Sequence, residues 1–399
     1  MDSTSEGEAI SVITFDVETT TKNKGNPFTA SNKLVSYAIK VEGEETTFNY
    51  YTAIDFLGSL RRLPKAKLVV GFNVKFDLHW ARRYGIVPSV GARIWDCQIA
   101  EFIIRGQQGA YPSLNEALQR FDLGGKNDKI AEYWALGVDT TDVPVDELRV
   151  YNILDVDLTY KLYLKQQEVM TEKQKKLCLV MGLDLLVLAD MEWNGVKFDV
   201  DLCRTKALET EASLSKIADE LRSFVESSRF NWDSGYHLSC LLYGGSFAVD
   251  YVESVTQEVY KTGARKGESY DKNRWGTEVF SFEPLFSPIK NSKTKLVSKV
   301  EGKEYPIYAT GVDVLKQLKK PSKRHRRLIE VLLERSELAK LLDTYYGAMP
   351  QLLDKMEWGD VLHGQYNQVV AATGRLSSSS PNMQNFSGDA DELLVSRYD

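Results

Sequence analysis

At 399 residues, with 43% hydrophobic and 27% charged residues, the chain has length for two or three domains and an ordinary globular composition, which excludes collagen, a continuous coiled coil or wholesale disorder. The net charge of −6 argues against a polyanionic partner until its distribution is seen: Val255–Tyr345 holds 19 Lys and Arg against 12 Asp and Glu, a local +7 that leaves −13 elsewhere. Cys97, Cys178, Cys203 and Cys240 form no Cys-x-x-Cys pair and read as reduced core residues. No signal or membrane-spanning run is evident, so a soluble, cytoplasmic protein without a membrane partner is expected.

Four short runs rich in Val, Ile, Tyr, Phe and Thr predict strands: Ser11–Val17, Leu34–Val41, Thr46–Tyr51 and Lys67–Gly71. Helices are predicted over Ala53–Arg62, Lys75–Tyr84, Ser113–Phe121 with a Ser113/Glu116 capping box, and from Pro144 to about Gln167. These elements define an α/β domain over residues 1–170. Residues 171–249 begin with two helices broken at Asn194-Gly195. Residues 250–309, with clustered Gly, Lys, Ser and Pro and short aromatic pieces, read as an inserted hairpin or loop region. Residues 310–399 return to helix over Val312–Tyr346, and the last seven residues look like the start of a strand.

The chemistry lies in an ordered set of acids. Asp16 and Glu18 are two apart on the first strand, so the pleat turns both carboxylates to one face. Asp77 follows a buried strand at the start of a helix. Tyr151 and Asp155 are four apart on the long helix, whose opposite face is read as Leu148, Leu162 and their neighbours. Taken singly, each is an ordinary solvated or helix-start charge. Taken together, four carboxylates with no suitably placed His or Cys favour Mg²⁺ or Mn²⁺ over zinc, and suit two-metal phosphoryl chemistry with Tyr151 orienting a water.

The runs FDVETT, GFNVKFD and YNILD, in that order, resemble the three motifs of the DnaQ-like 3′-to-5′ proofreading exonucleases, in the variant with Tyr four residues before the last Asp. The resemblance implies that Asp16, Glu18, Asp77 and Asp155 hold two divalent cations, that Tyr151 positions the water, and that Asn73 lies near the substrate strand. Further along, MEWNGVKFD, FNWDSGYHL, LLERSELAKLLDTYY and HGQYNQVVAATGRLSSSSPNMQNF are similar to successive segments of family A DNA polymerases. The insertion at 250–309 looks more phage-like than bacterial, which implies the cytoplasm of a bacterial host. The implied fold is an RNase H-like α/β exonuclease domain, then an α-rich thumb and partial palm with an inserted β region.

By the same resemblance, Lys340 of the thumb and Arg375, Asn382, Gln384 and Asn385 touch DNA near the primer end. Basic thumb residues gripping phosphates would account for the local +7. Leu342 and Asp343 stand where the family usually has Lys and Ser, and His237 where it has Gln. The family's later palm and fingers motifs are not found before Tyr398-Asp399. The expectation is therefore a metal-dependent 3′-to-5′ DNA exonuclease acting on single-stranded and primer-template DNA, without DNA synthesis by this chain alone. One alternative is the DNA-binding half of a split polymerase, docking a separate palm-and-fingers chain through an apolar, unpaired Leu376–Asp399. The other is a standalone RNA-trimming exonuclease of the RNase D type, which leaves the TGRLSS run unexplained.

Overall fold

In the computed structural model, which describes residues 10–125, 129–386 and 388–397, the β-branched and aromatic runs near the start pair into one sheet. Strands β1 (Ile10–Thr19), β2 (Leu34–Val41) and β3 (Thr47–Tyr50) form an antiparallel meander, and β4 (Ala66–Gly71) lies parallel to β1. After helix α1 (Val74–Arg83), β5 (Arg93–Asp96) adds parallel to β4, giving the order β3-β2-β1-β4-β5. The sequence pattern missed β5 because four residues, three of them buried, show no alternation.

Helices α2 (Cys97–Ile104), α3 (Leu114–Arg120) and α4 (Lys129–Ala135) follow. Both halves of the Ser113/Glu116 capping box are formed at α3. The helix expected over Ala53–Arg62 is absent: turns lead into a 3₁₀ segment at Leu60–Lys65. There the Tyr37 hydroxyl of β2 donates to the Phe56 carbonyl at 2.5 Å and meets the Ser59 hydroxyl at 3.1 Å, a tertiary anchor that overrides local propensity. Long helix α5 (Val145–Val169) lies across β1, β2 and β4, and α6 (Glu172–Asn194) packs on β5. Gly195 ends α6 at φ 59°, where a Cβ would stand 2.7 Å from the Leu362 carbonyl oxygen, so only glycine fits. The chain then enters β6 (Val196–Phe198).

A second compact unit, Asp201–Met349, contains most of α7 (Val200–Arg222), then α8 (Gly235–Tyr243) and two hairpins. The hairpins are β7 (Gly245–Val259) with β8 (Ser269–Phe282) and β9 (Lys293–Val300) with β10 (Lys303–Tyr308). The region read as a hairpin or loop is thus largely ordered ribbon. Helices α9 (Val312–Gln317) and α10 (Lys323–Leu341) complete the unit, with a π turn at Leu342–Tyr346. Its core includes Phe230, Phe247, Phe280, Leu328 and Ile329.

From Pro350 the chain rejoins the unit that runs up to Val200. Helix α11 (Ala348–Met356) leads to β11 (Val361–Leu362), β12 (Gln365–Asn367), β13 (Ser377–Ser379) and β14 (Leu394–Val395). Strands β11 and β14 flank β6, and β12 pairs with β13. Leu376–Asp399 is therefore not the unpaired segment expected of a docking strand; Ser387, Tyr398 and Asp399 fall outside the described residues. The two units cut across the expected segments 171–249 and 310–399, because β6 finds its partners more than 160 residues later in sequence. All four cysteines are buried free thiols. Among the described residues no helix is long and apolar enough to cross a membrane.

Candidate active site

The pleat of β1 carries Asp16 and Glu18 on one face, opposite Ala38 and Ser36 of β2. Helix α5 delivers Asp155 to that face. Its buried positions include Leu148, the adjacent pair Tyr151 and Asn152, Asp155, Thr159 and Leu162, recurring every three or four residues along one face. Leu148 and Leu162 thus flank Asp155 rather than oppose it, since seven residues make nearly two full turns. One carboxylate oxygen from each of Asp16, Glu18 and Asp155 lies within 4.8 Å of the other two.

Asp77, 3% exposed in the first turn of α1, stands beside this trio rather than within it, and its Oδ1 accepts the Val17 N–H at 3.1 Å. Burial, and then the charge of Asp16, hold the Asp77 carboxyl well above the usual carboxylate range. Tyr151 is buried beside Asp155, to which its side chain is hydrogen-bonded; burial and the charges of Glu18, Asp155 and Asp16 push its phenol far up. At neutral pH that hydroxyl keeps its proton, so it orients neighbours and does not act as a base.

Three supporting groups escaped the sequence reading. Asn152, fully buried, holds its side-chain nitrogen 3.5 Å from Asp16 Oδ2 and 3.4 Å from Glu18 Oε1, while its Oδ1 accepts from the Ser36 hydroxyl at 2.6 Å. Its neighbour Tyr151 drew the attention; the available signal was a polar residue on the buried stripe of α5. Asp96, at the end of β5, accepts from the N–H groups of Asn73 and Val74 at 3.1 and 3.0 Å and caps α2 through Gln98 and Ile99, fixing the start of α1. Buried Glu192 of α6 accepts from Lys75 Nζ at 2.5 Å and from the Tyr366 N–H at 2.6 Å, and sits 2.8 Å from His79 Nε2. This node ties α1 to β12, and no sequence pattern joins residues so far apart.

Asn73 adopts the left-handed conformation at φ 56° and lines a cavity of about 280 Å³ with Phe28, Lys75, Phe76 and Tyr111. Arg375, Asn382, Gln384 and Asn385 are exposed around β13 and the turn after it, where the Asn382 side chain accepts from the Gln384 N–H at 3.0 Å. Lys340 is exposed in the last turn of α10, in the other unit. The fold thus brings together Asp16, Glu18, Asp155 and Tyr151, with Asp77 alongside.

The trio offers only carboxylate oxygens, and a buried cluster of like charges that already raises one carboxyl is relieved by a cation. This donor chemistry fits a hard divalent ion and not a thiolate or imidazole site. The five-stranded mixed sheet thus gathers acids from β1, α1 and α5 at one end, a donor set suited to metal-assisted phosphoryl chemistry. Residues 2–171 match the 3′-5′ exonuclease family, and residues 283–396 match DNA polymerase family A.

Two relatives extend the match over most of the chain. The DNA polymerase of Bacillus phage SP01 is 24% identical over 360 residues, covering 87% of this chain and 37% of the phage protein. The DNA polymerase I of Synechocystis sp. is 26% identical over 321 residues, covering 78% of this chain and 26% of that protein. The POL domain of Pol1 from M. smegmatis, in complex with DNA primer-template and dNTP, shares the fold at TM-score 0.65 and 19% identity, over 98% of this chain and 55% of that one. The chain thus carries a 3′-5′ exonuclease domain over residues 2–171 and a stretch of the family A polymerase domain over residues 283–396. An exonuclease domain of this type implies divalent metal ions. A standalone RNA-trimming enzyme is not favoured, because the match continues well past the exonuclease domain.

Proposed function

We propose that this chain removes deoxynucleoside monophosphates from the 3′ ends of DNA, as the proofreading part of a replicative polymerase. The observation that carries the reading is the trio of carboxylate oxygens from Asp16, Glu18 and Asp155 within 4.8 Å of one another, with Asp77 beside them. These four would hold two divalent cations, Mg²⁺ or Mn²⁺. When bound, such cations lower the pKa of water and offset the charge of an in-line phosphodiester displacement.

The chain's own groups do the positioning. Tyr151, kept protonated, orients the attacking water and the Asp155 carboxylate. Asn152 spaces Asp16 from Glu18, and Asp96 fixes the α1 start that carries Asn73 and Asp77. Asn73, at its cavity, is placed to meet the substrate strand. Arg375, Asn382, Gln384, Asn385 and Lys340, all exposed, would contact primer-template DNA through phosphates and minor-groove acceptors; that the M. smegmatis protein of like fold is in complex with DNA primer-template supports DNA binding in general.

DNA synthesis would require the parts of the polymerase relatives outside the matched span, and a separately encoded palm-and-fingers chain is a partner of that kind. The likeness to a phage polymerase supports action in the cytoplasm of a bacterial host. The test is release of mononucleotides from 3′-labelled single-stranded DNA with Mg²⁺, Mn²⁺ or EDTA, beside Asp16→Ala/Glu18→Ala. Metal-dependent release lost in the double variant is expected. Release by wild type that persists in EDTA, or in the double variant, would refute the site.

A further inference from the structure

The end of the sheet remote from the carboxylates carries a second feature. Around the starts of β1, β4, β5 and α6 lies a cleft of about 1180 Å³. Five cations line it: Lys65 and Lys67 about the start of β4, Arg93 opening β5, and Lys175 and Lys176 on α6. Only two carboxylates oppose them, Glu42 and Glu172, and Glu172 is engaged by Lys175 at 2.8 Å. Lys65, Lys67, Arg93 and Lys176 are exposed and, among the described residues, ion-paired with nothing.

A local rule is broken at the same place. Lys173, Lys175 and Lys176 occupy three of the first five positions of α6, where the helix dipole favours carboxylates. Repelling cations gathered at the positive end of a helix are destabilising unless an anion comes to them, and departures of this kind mark functional surfaces. The cleft walls are not purely charged. Val90 is fully exposed there, beside Pro64 and the half-buried Tyr163 ring.

We infer that this cleft is a second, sequence-independent binding site for single-stranded DNA, an inference that rests on the DNA substrate proposed above. A single strand presents phosphates and unstacked base faces together, matching cations set about apolar walls, whereas an acidic peptide offers chiefly charge. The seven residue steps of β1 from Ser11 to Glu18 and the twelve steps of α5 from Asp155 to Gln167 place the cleft roughly 20 Å from the carboxylates. It therefore holds a different stretch of strand from the terminal nucleotide.

The experiment compares the full chain with a Lys65→Gln/Lys67→Gln/Lys176→Gln variant. Anisotropy with labelled 20-nucleotide oligo-dT in EDTA reads the affinity, and hydrolysis of a trinucleotide with Mg²⁺ reads the exonuclease site. The variant should bind oligo-dT at least about tenfold more weakly at low salt, with the log–log salt slope shallower by about 2, as for three lost phosphate contacts on a single strand. Trinucleotide hydrolysis should be unchanged, showing an intact fold. Equal oligo-dT affinity and slope with unchanged hydrolysis would overturn the inference. So would displacement of oligo-dT from wild type by poly-glutamate at matched charge concentration, which would mark a protein-docking surface. Cleft-dependent oligo-dT binding by a wild type that hydrolyses neither oligonucleotide would leave this site standing and remove the exonuclease reading.

Discussion

Replacing Asn152 with alanine isolates the role of a residue that touches two proposed metal ligands without being one. The buried bond from Ser36 at 2.6 Å contributes about 1 kcal/mol. The contacts to Asp16 and Glu18, at 3.5 and 3.4 Å, are long, so together they contribute about another 1 kcal/mol rather than the ~1.5–3 kcal/mol of one short bond to a charged group. Asn152→Ala should thus destabilise the metal-free fold by about 2 kcal/mol in urea denaturation. Its larger effect is on catalysis, because partners that orient metal ligands are typically worth about 10–100-fold. In steady-state 3′ hydrolysis kcat should fall by that factor, with KM for DNA unchanged and the Mg²⁺ midpoint raised. The near-isosteric Asn152→Asp puts a further carboxylate against Asp16 and Glu18 and should destabilise the metal-free protein more than alanine does. An alanine variant with kcat within about twofold of wild type and an unmoved Mg²⁺ midpoint would refute the positioning role.

Other perturbations read the same framework. The Asp77 carboxyl is raised in the folded state, so its stabilising contribution is complete only below the unfolded value near ~3.9 and is lost as pH rises through the folded value. In EDTA at pH 8, Asp77→Asn should therefore be more stable than wild type by at least about 1 kcal/mol, with the advantage vanishing in acid and reversing in Mg²⁺; a variant less stable in EDTA would contradict this. Glu192→Gln leaves Lys75 without its carboxylate and should cost about 2–3 kcal/mol by thermal or urea denaturation. Burial raises the Glu192 carboxyl, but hydrogen bonds from His79, Lys75 and the Tyr366 N–H outweigh it and hold it below its ordinary value, while burial holds His79 neutral. Both contributions are lost as pH falls, from about 6.5 for His79 and below about 4.3 for Glu192; the Gln variant deletes only the second, so its pH–stability profile should be flatter below about 4.3. Ser113→Ala should remove about 1 kcal/mol by breaking the capping box of α3, read as a lowered Tm with exonuclease kinetics unchanged.

What was legible in the sequence was whatever depends on neighbours a few residues apart. The two-residue period of β1 put Asp16 and Glu18 on one face, the four-residue step put Tyr151 and Asp155 on another, and Leu34–Val41 and the α3 cap were readable from their own residues. The motifs that carry these acids, in their order along the chain, resemble those of the proofreading exonucleases, and that resemblance suggested the activity. Local pattern failed where another part of the chain intervened. Tyr37 pulled Phe56 and Ser59 out of a helix, β4 made a strand of Arg93–Asp96, and β11 and β14 closed on β6 from far along the chain. The same holds within the site: Asn152 reaches Asp16 across 136 positions and Glu192 reaches His79 across 113. Periodicity encodes which face a side chain occupies, whereas the identity of the group it meets there depends on long-range sheet pairing and helix packing, and that only the tertiary structure decided.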